Sequence, residues 1–119
     1  MFEKSLIEVP WGPLLFRVLV SLICGSVIGA EREWARKAAG LRTMILICMG
    51  SNLYMLVSQL AAITAGFPFD ITRIASQVVT GVGFIGAGAI IVDRGRTIGV
   101  TTAASIWVVA AIGLIIGAG

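Results

Sequence analysis

The sequence predicts an all-α integral membrane protein, a compact bundle of four transmembrane helices with a glycine-rich third helix. Three observations carry the prediction. Of the 119 residues, 58% are hydrophobic and only 13% charged, with a mean hydropathy of +1.02, whereas a soluble domain carries about 25% charged residues. Apolar runs at residues 14–30, 43–67, 73–92 and 100–118 match, closely enough, the roughly 20 residues that a helix needs to cross hydrocarbon. Charges gather in the short segments between those runs, where they set orientation. Residues 1–119 read as one transmembrane domain, with the lipid bilayer as its first partner.

The first span is entered through a mixed surface segment, residues 1–12, in which Phe2 and Trp11 suit the membrane interface. Glu3, Lys4, Glu8 and two prolines within residues 1–13 speak against a cleaved signal peptide, and Pro13 is tolerated in a first helical turn. Within span one Arg17 is the only charge, near enough to the end to snorkel toward headgroups. Ser21, Gly25 and Gly29 recur every four residues, a small-residue edge fit for a close helix crossing. The text then turns polar at EREWARKAAGLR, residues 31–42. That segment is expected to continue the helix until Gly40 caps it.

Span two is free of charge. Cys48, Asn52, Met55 and Gln59 fall on one face, flanked by Ser51 and Ser58. An unpaired amide in hydrocarbon is costly, so this face is expected to point into the bundle. The turn at residues 66–70 is short, which makes spans two and three antiparallel neighbours. Span three carries Gly81, Gly83, Gly86 and Gly88. Glycine costs a water-exposed helix about 1 kcal/mol against Ala, but in a membrane it lets backbones approach. The four are expected to face other helices, with spans one, two and four closing around a central span three. Residues 93–99 link it to span four, which opens with Thr101, Thr102 and Ser105 and ends on Gly113 and Gly117. Gly25/Gly29 or Gly113/Gly117 would also serve a homodimer.

Arg32, Arg36, Lys37 and Arg42 lie in the first loop, with Arg94 and Arg96 in the third; the opposite side offers Lys4, Arg17 and Arg73. The positive-inside rule therefore places 31–42 and 93–99 in the cytoplasm, and both termini outside. The net charge of +3 is spent on this topology and gives no case for a nucleic-acid partner.

Several chemistries can be weighed against plain packing. Gly81-x-Gly83-x-x-Gly86 spells a dinucleotide fingerprint, but that motif needs a strand before it and a helix opening after it; here it lies among Val, Phe and Ile. TGVGF, residues 80–84, echoes a filter loop without the flanking pore helix. The intramembrane polar residues Asn52, Gln77, Thr80, Thr101 and Thr102 suit interhelical hydrogen bonds, or a hydrated ion path as the rival reading. No carboxylate lies deep in any span, whereas Mg²⁺ favours oxygen ligands including one or two carboxylates. Histidine is absent and the two cysteines, Cys24 and Cys48, show no metal-ligand spacing. No metal, no cofactor and no catalytic residue is expected, hence no enzyme. Glu31, Arg32, Arg42 and Asp93 occupy one level at the cytoplasmic face, fit for an ion-pair layer or a docking surface.

The runs IGAEREWARKAAGLRT (28–43), RIASQVVTGVGFIGAGAII (73–91) and GVTTAASIW (99–107) resemble, in order and spacing, the MgtC/SapB family of bacterial membrane proteins. Gly29, Glu31, Arg32 and Arg42, the span-three glycines with Arg73 and Gln77, and Thr101, Thr102 and Trp107 are among the matching positions. The resemblance implies a bacterial inner-membrane protein of adaptation to low magnesium, and of virulence in some members. It implies regulation through membrane partners such as the F-type ATP synthase rather than transport, with an Mg²⁺ or other cation transporter as the alternative. Family members typically continue into a fifth span, and many carry a cytoplasmic regulatory domain, so this chain reads as a trimmed or minimal four-span core.

Overall fold

The computed structural model describes residues 9–65 and 70–119; most of the expected surface segment at 1–12 and most of the turn at 66–70 lie outside them. The described chain forms helix α1 (Trp11–Trp34), α2 (Leu41–Ala65), α3 (Thr72–Ala89), a hairpin of β1 (Ile91–Asp93) and β2 (Arg96–Ile98), and α4 (Val100–Ala118). At about 1.5 Å per residue, the 24 residues of α1 and 25 of α2 extend well past the roughly 30 Å of a hydrocarbon core. By length and composition α1, α2 and α4 are long and apolar enough to cross a membrane.

Helix α1 stops earlier than the charged segment suggested. Lys37 N–H donates to Arg32 O (2.9 Å) and Arg36 N–H to Glu33 O (3.1 Å), while Arg36 adopts φ 56°. This is a Schellman stop, with Arg36 in the left-handed position that glycine usually fills. Gly40 is therefore not the cap of α1; its carbonyl instead accepts from Met44 N–H at the start of α2 (3.1 Å).

The third helix also ends sooner, at Ala89 rather than 92. Ile91 pairs with Ile98, Val92 with Thr97 and Asp93 with Arg96. Arg94 and Gly95 take φ 51° and 76°, the positive pair that a tight two-residue hairpin turn demands. At the hairpin base Gly99 has φ 95°, and a Cβ there would overlap the Ala89 carbonyl, so no other residue closes this connection without strain.

Helices α1, α2 and α4 make the core, with α2 the most engaged of the three, and α3 packs at the edge, mainly on α4. This corrects the expected arrangement, in which span three was central. Close approach is achieved elsewhere. Cβ atoms added at Gly25 and Gly29 would stand 2.9 Å from Ile45 Cα and 2.7 Å from Leu41 Cα. One at Gly113 would overlap the Cys48 carbonyl, and one at Gly117 would stand 2.7 Å from Met55 Cβ. Both glycine pairs are thus consumed inside the chain, joining α1 and α4 to α2, rather than left free for a second copy. Met44, Cys48, Ile106 and Val109 fill the space between, with Cys24 and Cys48 as free thiols.

Candidate functional site

The buried stripe of α1 organises the polar interior. Arg17, Ser21, Gly25, Gly29 and Arg32 succeed one another at helical spacing, and all but the partly buried Arg17 are buried. The two central glycines seat the helix against α2. The polar members then meet partners at three levels of the bundle.

At the end where α1 stops and α4 begins, Arg32 is only 7% exposed. Its Nη2 donates to the Ala38 carbonyl (2.6 Å) and to Thr102 Oγ1 (2.5 Å), and Nη1 to Ser105 Oγ (3.4 Å). Nε is buried without a partner. The guanidinium thus clamps the 35–40 turn and the first turns of α4 through neutral oxygens alone. A buried cation is normally paired, and the first turn of a helix carries positive, not negative, potential. Arg32 therefore has no carboxylate partner among the described residues, and the negative potential of the last turn of α1, in which it lies, is its remaining compensation.

Midway along, Asn52 is wholly buried and its Nδ2 donates to Ser21 Oγ (3.2 Å), which in turn donates to Val18 O (2.7 Å). Asn52 Oδ1 has no partner. At the far end Arg17 Nη1 donates to Gln59 Oε1 and to Gly117 O, both at 3.0 Å, and Gln59 Nε2 donates to Ala118 O (3.1 Å). A cation on the last carbonyls of α4 complements the negative end of the helix. Arg17 does not snorkel; it ties α1, α2 and α4 together.

The remaining expected residues are not gathered with these. Glu31, Arg42 and Asp93 are exposed, and among the described residues no ion pair joins them to one another or to Arg32. Thr102 is buried against Arg32, whereas Gln77, Thr80 and Thr101 are exposed, Thr80 donating only to Ser76 O of its own helix. Of the α3 glycines, a Cβ added at Gly86 would stand 3.5 Å from Ala103 Cβ, while one at Gly81, Gly83 or Gly88 meets nothing within 4 Å. Among the described residues no three Asp, Glu, Cys or His side chains converge to hold a metal. The sequence reading passed over Arg17 and Ser21 as hydrogen-bonding groups; their four-residue step into Gly25 and Gly29 was the available signal.

The distribution of side chains is inverted relative to a soluble domain. Ser21, Arg32, Ser51, Asn52, Ser58 and Thr102 are buried, while Phe16, Val27, Leu46, Ile63, Phe84 and Ile115 stand exposed on helix faces. Three of the helices that carry this pattern are long and apolar enough to span, and only a hydrocarbon solvent rewards it. The class is an α-helical integral membrane protein. Within that class the chain belongs to the MgtC family, whose model matches residues 18–119. It is 53% identical over 108 residues to the putative magnesium transporter YhiD of Escherichia coli (strain K12), covering 86% of this chain and 49% of that protein. It is 38% identical over 107 residues to protein MgtC of Salmonella typhimurium (strain LT2), covering 90% and 44%. A Synechocystis protein, slr0014, is 40% identical over 110 residues, covering 92% and 45%. The chain spans about half the length of these curated relatives. No solved structure matches it.

Proposed function

We propose that this chain is the membrane core of an inner-membrane regulator of growth at low magnesium, acting through membrane partners such as the F-type ATP synthase. One observation carries the preference for regulation over transport. The intramembrane polar residues do not line a common path: Asn52 is sealed between α1, α2 and α4, Gln77 lies in a separate groove between α2 and α3, and Thr80 and Thr101 are exposed outside it. Arg32 adds to this, because a buried cation without a carboxylate repels a divalent cation where α1, the 35–40 turn and α4 meet.

In this reading α3 crosses the membrane as a fourth span, 31–42 and 93–99 face the cytoplasm, and both ends of the chain lie outside. Exposed Glu31, Arg42 and Asp93 then present charge to a partner beside the hairpin, and the chain pairs with a second copy. No enzymatic step is assigned to it. The second reading, cation transport, is favoured by the name of the Escherichia coli relative, a putative magnesium transporter.

Complementation separates a docking role from a merely structural one. Glu31→Ala combined with Arg42→Ala is expected to impair growth at low magnesium, and co-purification of ATP synthase subunits, at wild-type protein levels in the membrane. Normal growth and undiminished co-purification would remove the basis for that surface.

A further inference from the structure

Helices α2 and α3 pack on each other less than α2 packs on α1 or α4, and Ser58 Oγ of α2 donates to the carbonyl of Ile71, just before α3 (2.8 Å). Between the two helices lies a groove of about 920 Å³, within the roughly 300–1,000 Å³ that small-ligand sites occupy. Gly50 and Gly81 form part of its walls, and a Cβ on either meets nothing within 4 Å. These glycines widen a space instead of closing a contact.

The lining is ordered along its length. Arg73, Gln77 and Tyr54 lie toward the α2–α3 junction in sequence, and the remainder is lined mainly by apolar residues such as Leu46, Val82 and Ile85, with Ser51 as its one hydroxyl. Arg73 and Gln77 are a helical turn apart, both exposed, and among the described residues neither side chain has a hydrogen-bond partner. The nearby carboxylate is otherwise engaged. Asp70 Oδ1 accepts from Thr72 N–H (2.9 Å) and Thr72 Oγ1 (2.5 Å). Those bonds hold its carboxyl below the usual carboxylate range, with Arg73 a lesser influence. The first turn of α3 adds positive potential at the same place.

We propose that this groove binds one anionic phospholipid, its phosphate held by Arg73 and Gln77 and one acyl chain laid along α3. The dimensions agree. From Arg73 to Ile85 the helix rises about 18 Å at 1.5 Å per residue, close to the roughly 15 Å of one hydrocarbon leaflet. A phosphate takes a guanidinium in charge-assisted hydrogen bonds, and the chain meets the apolar walls in the order in which the groove presents them. An apolar helix from a second copy would cover Arg73 without supplying the anion, leaving a costly unpaired charge against hydrocarbon.

The test is native mass spectrometry of the delipidated chain, titrated with phosphatidylglycerol or with phosphatidylcholine of the same acyl chains. Wild type is expected to retain a single phosphatidylglycerol at least fivefold better than phosphatidylcholine. Arg73→Gln is expected to abolish that preference, and Arg73→Lys to restore most of it. Gly81→Leu and Gly50→Leu, which fill the groove where there is room for a side chain, are expected to lower retention of either lipid at unchanged helical content. Equal retention of the two lipids by wild type overturns the proposal, as does full retention in Arg73→Gln or in both leucine variants. A lipid-free dimer that Gly81→Leu dissociates also overturns it, assigning the groove to a second copy.

Discussion

Arg32 and Asn52 carry the interior of this protein at the scale of single residues. Three charge-assisted donations from Arg32 hold the 35–40 turn to α4, and hydrogen bonds to charged groups contribute about 1.5–3 kcal/mol each. Arg32→Ala leaves Thr102 and the Ala38 carbonyl without their donor, and is expected to cost about 2–3 kcal/mol in thermal unfolding in detergent. Arg32→Lys should fall between, because an ammonium lacks the planar fork that reaches several acceptors. Asn52 behaves differently. Its single bond to Ser21 is offset by a buried oxygen with no partner, so Asn52→Leu is expected to shift stability by less than about 1 kcal/mol. That Asn52 faces inward was legible from the face it shares with Cys48 and Met55. That Arg17 turns inward was not, because position near a helix end does not say whether a carbonyl terminus waits beside it.

At the scale of helices, glycine acts by face rather than by number. Gly25 with Gly29, and Gly113 with Gly117, are each four residues apart and present one continuous small edge. Gly81 and Gly88, seven residues apart, share a face roughly opposite Gly83 and Gly86 at about 100° per residue, so the four of α3 cannot line one contact. The density of glycine in span three drew the sequence reading to it, while the period pointed to α1 and α4. Gly113→Ala, which would press on the Cys48 carbonyl and Ser51, is expected to destabilise by about 1–3 kcal/mol through overpacking. Gly83→Ala, with open space around it, is expected to be neutral or slightly stabilising. Melting temperatures of the two variants in one detergent check the contrast. The hairpin at 91–98 escaped the sequence reading because Ile91 and Val92 continue the apolar text of α3; the turn residues Arg94 and Gly95 supply the backbone reversal that ends it.

At the scale of the whole molecule, composition alone gave the membrane class, and the inverted burial of polar and apolar side chains is its structural counterpart. Three blocks of sequence gave the family that the match over residues 18–119 establishes. Which residues meet across the bundle was beyond sequence reasoning, because Arg32 and Ser105, like Arg17 and Gly117, are joined only by the way α1 and α4 both close on α2. The arrangement that results is a sealed three-helix core with a buried cation at one end. If the chain regulates rather than transports, as proposed, this core does not conduct Mg²⁺. Liposomes holding an Mg²⁺-sensitive dye and the purified chain test it most directly. Influx equal to that of protein-free vesicles, in wild type and in Asn52→Leu alike, is the expected result. A saturable, protein-dependent Mg²⁺ influx that Asn52→Leu abolishes would contradict it.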